Sequence, residues 1–270
     1  MNIVLLLNND IASNLALNLL MPELSNHSVS VFLSSKVGGQ GSRLKALQEL
    51  ADFEQNVVYS LLNKWAFASE NQSAIATTFK SYDDIAQHYG IEVTLLNEIN
   101  TPSGINKLSE LAPDLIISVR YGVILKQQVI GVAKYGVLNL HSGILPDYRG
   151  VMATFWAMLN GERKIGTTLH FMDDSTIDTG RVIATSSTDI QADKSYLWHV
   201  LNLYFDGCQL ILQAIDNLVC HQWLDSVKKV DEGQYYSFPT RDELDLFQKK
   251  FGPLFNEQEV LALLTTAIKP

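Results

Sequence analysis

The stretch from Val137 to Gly150 reads VLNLHSGILPDYRG and decides the fold class. Its first five residues predict a strand that ends at His141 and holds the side chains of Asn139 and His141 on one face. A turn of Pro, Asp, Tyr, Arg and Gly follows directly. Because open α/β sheets bind ligands at the carboxyl ends of their strands, this strand predicts both a parallel sheet and a site at its edge.

The chain before this strand alternates strands with helices. Apolar runs at 3–7 and 29–33 predict strands on either side of a first helix around Leu15 and Leu20, and a long helical pattern extends from Ser42 to about Phe67. This alternation predicts the α/β class, with a Rossmann-like, open and mostly parallel sheet. Further predicted elements are helices at 82–89, 105–111, 126–133, 151–159 and 195–219 and strands at 93–96, 114–120, 167–172 and 182–190.

The composition changes after Cys220, where aromatic residues and two short helical patterns at 241–251 and 256–267 follow. We therefore interpret residues 1–220 as one large domain and residues 221–270 as a small C-terminal appendage. Segment 233–240, GQYYSFPT, is aromatic enough to stack a base or to close a pocket. The same aromatic residues could equally pack the appendage onto the main domain.

Composition and charge narrow the function classes. The 270 residues are 47% hydrophobic and 18% charged, which is ordinary for a globular protein, and the net charge is −9. An acidic chain argues against a dedicated nucleic-acid binder. Two cysteines without a CxxC motif argue against a disulfide framework and a structural zinc site. Because the N-terminus lacks a basic signal-peptide region and no apolar run is long enough to span a membrane, we expect a cytoplasmic protein without membrane contact.

A glycine-rich segment follows the second predicted strand. It reads Gly38-Gly39-Gln40-Gly41, but Leu44 stands where a dinucleotide-binding G-x-G-x-x-G motif needs its third glycine. We therefore predict a surface loop. A dinucleotide-dependent oxidoreductase is kept as an alternative function.

Asn139, His141 and Asp178 provide an amide, an imidazole and a carboxylate. These groups suffice to move an acyl unit onto an amine without a covalent enzyme intermediate. Preorganised donors at the oxygen of a tetrahedral intermediate are worth about 3–4 kcal/mol each, and a histidine with a pKa of ~6.5 works on either side of neutrality. Asp178 can pair with His141 and assist proton transfer. Taken singly, each residue also has a structural interpretation, so the hypothesis of formyl transfer rests on the combination.

Residues 114–183 resemble the folate-dependent formyltransferases, which use 10-formyltetrahydrofolate. This family includes methionyl-tRNA formyltransferase, glycinamide ribonucleotide formyltransferase and the sugar N-formyltransferases. The resemblance rests on RYGVIL at 120–125, NLHS at 139–142, LP at 145–146 with YRG at 148–150, GTT at 166–168 and DTG at 178–180.

The resemblance implies that Asn139, His141 and Asp178 are the catalytic triad and that no metal is needed. It also implies that the folate lies between two segments, which contribute Arg120, Tyr121, Gly122, Val123, Ile124 and Leu125 on one side and Met172, Asp173, Asp174 and Ser175 on the other. We predict that the acceptor contacts Ser142, Arg149, Asn8 and Asn9. His170 could face the folate or fill the strand.

Two segments depart from the family pattern. The loop before Asp178 is one residue longer than usual, and Ser175-Thr176 replace a glycine. The loop after the first strand, Asn8 to Asn14, lacks the glycines with which the purine enzymes surround a phosphate. This second departure weakens the assignment to glycinamide ribonucleotide.

We expect the acceptor to be a small amine, with an amino-sugar nucleotide as first choice. About 50 residues follow Cys220, too few for the tRNA-binding barrel of the methionyl-tRNA enzymes. Methionyl-tRNA formyltransferase, another small amine as acceptor and a non-catalytic folate-binding relative stay open as alternatives. A homodimer is possible.

Overall fold

The computed structural model describes residues 1–35, 44–68, 79–226 and 233–266, so the predicted glycine loop at 38–41 lies outside the described residues. The strands are β1 Asn2–Asn8, β2 Ser28–Ser34, β3 Val93–Leu95, β4 Leu115–Val119, β5 Val137–His141, β6 Arg149–Gly150, β7 Lys164–Phe171, β8 Val182–Asp189 and β9 Tyr235–Tyr236.

Seven of these strands form the main sheet in the order β3-β2-β1-β4-β5-β7-β8. The first five in this order are parallel, whereas β7 and β8 run antiparallel to their neighbours. The prediction of an open, mostly parallel α/β sheet is therefore confirmed. The strand order reverses between β1 and β4, which is the switch point where such sheets open a crevice for ligands.

The helices are α1 Ile11–Leu20, α2 Lys45–Asp52, α3 Val58–Ala68, α4 Tyr82–Tyr89, α5 Pro102–Glu110, α6 Gln127–Ile130, α7 Ala153–Leu159, α8 Tyr196–Val219, α9 Arg241–Phe251 and α10 Glu257–Thr266. The single long helix predicted at 42–67 is divided, because a π-helical turn at Phe53–Val57 separates α2 from α3. The helix predicted at 126–133 is shorter in the structure. It corresponds to α6 and ends at Ile130, because Gly131 is its C-cap residue.

The core lies on both faces of the sheet. Along β1, Ile3, Leu5 and Leu7 enter the larger hydrophobic cluster, while Val4 and Leu6 enter the smaller one. This burial on both faces explains why the strand is a continuous apolar run. None of the helices in the described ranges is long and apolar enough to span a membrane.

The C-terminal segment packs on the same core as the rest of the chain. Phe247 of α9 stacks on Phe155 with ring centroids 4.4 Å apart, and Phe255 stacks on Phe53 at the same distance. The short strand β9 pairs with β6 in a separate two-stranded sheet. The division of the chain at residue 220 stays a prediction, but this packing ties both sides of it into one core.

Candidate active site

A cavity of about 460 Å³ opens at the carboxyl ends of the central strands, beside the switch point. Its wall includes Asn8 at the end of β1, Arg120 after β4 and Asn139 and His141 on β5. Asp178, from the loop between β7 and β8, lines the same cavity. The structure thus brings together the three residues from which acyl transfer was inferred.

His170 connects two members of this group. It lies on β7 directly opposite Asn139, and its Nε2 is 3.1 Å from the Asn139 amide nitrogen. Its Nδ1 is 2.9 Å from the Phe171 carbonyl oxygen, which can only accept, so Nδ1 carries the hydrogen. When Nε2 carries no hydrogen it can accept from the Asn139 amide, and this contact orients that side chain.

Both ring nitrogens of His141 face oxygen atoms. Nε2 lies 2.6 Å from the Tyr148 carbonyl oxygen, and Nδ1 lies 3.4 Å from Oδ2 of Asp178. Neither oxygen can donate when Asp178 is ionised, so an imidazolium, which donates from both nitrogens, satisfies both contacts. His141 and Asp178 are both buried, which strengthens their electrostatic interaction.

The Asp178 carboxylate is held in its ionised form. Burial alone would raise its pKa, but the His141 and His170 rings and the Gly150 N–H outweigh burial and lower the pKa to about 2. The Gly150 N–H donates to Oδ2 over 2.8 Å, and Nε2 of His170 lies 3.6 Å from Oδ1. Asp178 therefore stays negative at neutral pH and presents a hydrogen-bond acceptor to Nδ1 of His141.

The backbone around Gly150 is fixed by the C-terminal segment. The Arg149 N–H donates to the Gln234 carbonyl over 3.0 Å, and the Val151 N–H donates to the Tyr236 carbonyl over 2.9 Å. Gly150 has φ +93°, and a Cβ there would lie 2.3 Å from the Tyr236 oxygen. Only glycine therefore fits between β6 and β9 without a shift of the backbone.

The Arg149 side chain also supports the loop that carries Asp178. Its Nε and Nη2 donate to the Ile177 carbonyl over 3.2 and 3.1 Å, one residue before the catalytic candidate. Asp178 itself has φ +55°, a backbone conformation that is uncommon outside glycine. Two contacts from β6 thus hold the loop that carries Asp178: the Gly150 N–H and the Arg149 side chain.

The predicted folate segments are only partly at the cavity. Tyr121, Gly122, Val123 and Ile124 line it from one side, and Met172 and Ser175 line it from the other. Three other members of these segments are absent from the lining: Leu125 is buried in the smaller core cluster, Asp173 pairs with Arg181 over 3.0 Å, and Asp174 accepts a hydrogen bond from Thr176.

The residues that were predicted to contact the acceptor also lie only partly at the cavity. Asn8 and Ser142 line the cavity, whereas Asn9 and Arg149 do not. Asn8 is buried, and its amide donates to Asp10 over 3.0 Å. The roles of all these residues stay predictions, although their positions are now known.

One wall of the cavity was missed by the sequence reasoning. It is formed by Leu47, Leu50 and Glu54 at α2 and the π turn and by Tyr196 at the start of α8. Tyr235 and Phe238 also line the cavity, and they belong to segment 233–240, for which closing a pocket was one of two alternatives. Leu47, Leu50 and Glu54 are spaced by three and four residues, so they share one face of a helix. A glutamate on this otherwise apolar face was the signal in the sequence that could have indicated a site there. The aromatic residues carried no signal that separates lining from packing.

The sheet order, the cavity at the switch point and the amide–imidazole–carboxylate group define a Rossmann-like domain with a site suited to acyl chemistry. Residues 67–197 match the model of the formyl transferase family. The match spans almost half of the chain, and it confirms the resemblance that the motifs at 114–183 predicted.

Curated relatives are methionyl-tRNA formyltransferases. The protein of Caldanaerobacter subterraneus subsp. tengcongensis is 29% identical over 182 residues, which are 67% of this chain and 53% of that protein. The protein of Clostridium acetobutylicum is 43% identical over 124 residues, which are 46% of this chain and 39% of that protein. The chain therefore spans about half, or less, of the length of these relatives.

Solved structures with the same fold include sugar N-formyltransferases. A Shewanella sp. FDAARGOS_354 enzyme has a TM-score of 0.56 at 13% identity, covering 92% of this chain and 87% of that one. The Helicobacter canadensis N-formyltransferase, in complex with folinic acid and dTDP-3-aminofucose, has a TM-score of 0.55 at 19% identity, covering 90% of this chain and 72% of that one. Identities this low show a common fold and do not assign an acceptor.

Proposed function

We propose that this chain transfers a formyl group from 10-formyltetrahydrofolate to a primary amine. The observation that carries the proposal is the convergence of Asn139, His141 and Asp178 in one cavity, with His141 Nδ1 3.4 Å from Asp178 Oδ2. The match of residues 67–197 to the formyl transferase family model supports the reaction class. The proposal includes a cytoplasmic location and a catalytic domain formed by residues 1–220 with an appendage at 221–270.

The oxygen of the formyl group gains negative charge when the amine attacks its carbon. The Asn139 amide has two N–H groups, so one can donate to His170 while the other donates to this oxygen. The His141 N–H that now donates to Tyr148 would exchange that partner for the formyl oxygen. Donors of this kind in a site of low dielectric are worth about 3–4 kcal/mol each in the transition state.

The attacking amine must lose a proton, and the leaving nitrogen must gain one. Because the pKa of Asp178 is lowered to about 2, this carboxylate is a poor proton acceptor at neutral pH. Its role is to accept from Nδ1 of His141 and to orient the ring, because an imidazole is the side chain that most often transfers protons in catalysis. His141 gives one proton to the leaving nitrogen and takes up the proton that the attacking amine releases, so the ring returns to its starting state.

The cavity has a wall suited to a pterin. Val123, Ile124 and Met172 provide apolar surface, while the backbone of Tyr121 and Gly122 lies beside them. The folinic acid complex of the Helicobacter canadensis relative supports a folate donor for this chain. No step in the transfer requires a metal.

We propose an amino-sugar nucleotide as the acceptor. Tyr235 is 46% exposed and lines the cavity, so its ring is available to stack on a base. The dTDP-3-aminofucose bound by the Helicobacter canadensis relative supports this class. Methionyl-tRNA is the second candidate, because the curated relatives carry that activity in their names.

Formylation by the purified protein tests the proposal. 10-Formyltetrahydrofolate is supplied with methionyl-tRNA, glycinamide ribonucleotide or 3-amino and 4-amino sugar nucleotides, and His141→Ala is the inactive control. We expect product only with sugar nucleotides. Efficient formylation of methionyl-tRNA that falls steeply with salt would replace the acceptor assignment. Donor consumption that is equal for wild type and His141→Ala would contradict formyl transfer at this site.

A further inference from the structure

Three charged side chains meet at the switch point of the sheet. Nε of Arg120 lies 2.9 Å from Oδ2 of Asp10, and Nη2 of Arg120 lies 2.9 Å from Oε1 of Glu54. Asp10 follows β1, Glu54 lies on the π turn, and Arg120 follows β4. We call this group the Arg120 clamp, because one guanidinium joins three elements that are far apart in the sequence.

The clamp is rigid at its Asp10 end. Oδ1 of Asp10 accepts the Ser13 N–H over 2.8 Å at the start of α1, and Oδ2 accepts from the Asn8 amide over 3.0 Å. The Asp10 side chain is 2% exposed and the Arg120 side chain 21% exposed. Charged hydrogen bonds in such surroundings are short, directional and weakly screened, so they hold Arg120 in one position.

The backbone at Arg120 needs this support. Arg120 has φ +58°, a left-handed conformation that is unfavourable for a residue with a Cβ atom. Directly after it, the Gly122 N–H donates to Oγ of Ser34 over 2.8 Å, and the Tyr121 hydroxyl donates to the Leu96 carbonyl. These anchors determine how the segment from Tyr121 to Ile124 is presented to the cavity.

We infer that Arg120 is a positioning residue for the formyl donor: with Asp10 and Glu54 it fixes the turn that presents residues 121–124 to the folate. This inference rests on the proposed function. It differs from a direct contact between Arg120 and the folate, because the guanidinium already donates to two carboxylates. It also gives Glu54, which carries no family motif, a part in donor binding.

Binding of folinic acid, measured by calorimetric titration, tests the inference without an acceptor. Glu54→Ala leaves the ion pair of Arg120 with Asp10, in which the two charges balance, so the protein should still fold. The turn at Arg120 then loses the contact with Glu54 as an anchor. We expect its Kd to rise about tenfold. Glu54→Gln keeps an oxygen acceptor and should recover part of this loss. Arg120→Lys cannot reproduce two directed contacts and should lose at least as much as Glu54→Ala.

Ser34→Ala separates positioning from direct contact. Ser34 does not line the cavity but anchors the same segment through Gly122, so it should also weaken folinic acid binding, by about threefold to tenfold. Ile215→Ala, in the part of α8 remote from Tyr196, is the stability control. It should lower the melting temperature and leave the Kd within about twofold.

The outcomes distinguish the two proposals. If the wild-type protein does not bind folinic acid, the proposed function fails. If it binds, and the folded Glu54→Ala and Ser34→Ala variants bind equally well, the positioning inference is wrong while the proposed function stands. If Arg120→Lys alone weakens binding, Arg120 contacts the folate directly and the inference is again overturned. Should Arg120→Lys fail to fold, Glu54→Ala and Ser34→Ala decide by themselves.

Discussion

Asp178 links the backbone and the chemistry of the site at the residue scale. Its Oδ2 accepts the Gly150 N–H and faces His141, so one carboxylate fixes a turn and orients the imidazole. If the proposed reaction is correct, Asp178→Asn should keep the fold and lower turnover by at least about 100-fold, as expected for a group that supports acid–base catalysis. Steady-state formylation by Asp178→Asn measures this loss.

The matched control for this prediction is Asp193→Asn. Asp193 is an exposed carboxylate that pairs with Lys194 and does not line the cavity. It should leave turnover within about twofold of wild type, as for most surface substitutions. Near-normal formylation by Asp178→Asn would show that the chemistry lies elsewhere.

The pKa of Asp178 also predicts how stability depends on pH. Its folded pKa is lowered from 3.8 to about 2, so between these values the unfolded state binds more protons than the folded state. Asp178 therefore adds stability that is complete above about pH 4 and is lost as pH falls toward 2. Two pKa units correspond to about 2–3 kcal/mol.

Denaturant unfolding between pH 2 and 6 measures this contribution. The free energy of unfolding of wild type should decline more steeply with acid than that of Asp178→Asn, which lacks the titrating group. The two proteins should differ most above pH 4 and converge near pH 2. Parallel curves over the whole range would mean that the His141 and His170 contacts do not lower the pKa of Asp178.

At the scale of elements, the pairing of β6 with β9 holds Gly150 in place. We predict that Gly150→Ala disrupts this pairing, because its Cβ would lie 2.3 Å from the Tyr236 oxygen. The Gly150 N–H would then move away from Asp178. We expect a destabilisation of about 2–3 kcal/mol from strain and overpacking, together with a loss of turnover.

Gly161→Ala isolates the collision from the backbone strain. Gly161 has φ +83°, close to the +93° of Gly150, but a Cβ there meets nothing within 4 Å. Its stability loss should be about 1 kcal/mol, and turnover should be unchanged. Equal effects of the two substitutions on melting temperature and turnover would show that β6–β9 pairing does not support the site.

Elements that depend on local pattern could be predicted, and contacts between distant elements could not. The strand carrying Asn139 and His141 and the helix at 82–89 agree with the structure because their apolar periodicity is local. The pairing of His170 with Asn139 depends on the register between β5 and β7, which periodicity does not determine.

The Arg120 clamp shows the same limit for the site. RYGVIL at 120–125 was recognised as a motif, but its partner Glu54 lies 66 residues earlier in a region without one. The π turn that carries Glu54 was also missed, since it interrupts a helical pattern that is otherwise continuous. Residue types and local spacing therefore predicted the reacting groups, while the groups that hold them required the three-dimensional structure.

At the scale of the whole molecule, the C-terminal helices and the sheet share one core. Phe247 of α9 is 0% exposed and stacks on Phe155 of α7. We predict that the part of the chain that the structure describes unfolds in a single transition. Phe247→Ala should lower the free energy of unfolding by about 3–5 kcal/mol, the usual cost of a large cavity in a core.

Leu246→Ala is the matched control, because the neighbouring side chain in the same helix is 46% exposed. It should change the free energy of unfolding by less than about 0.5 kcal/mol. Calorimetry and tryptophan fluorescence should report the same midpoint for wild type and for Phe247→Ala, since the appendage cannot melt without exposing Phe155. Two separate transitions, with folinic acid shifting only one of them, would instead show that residues 221–270 fold as an independent unit.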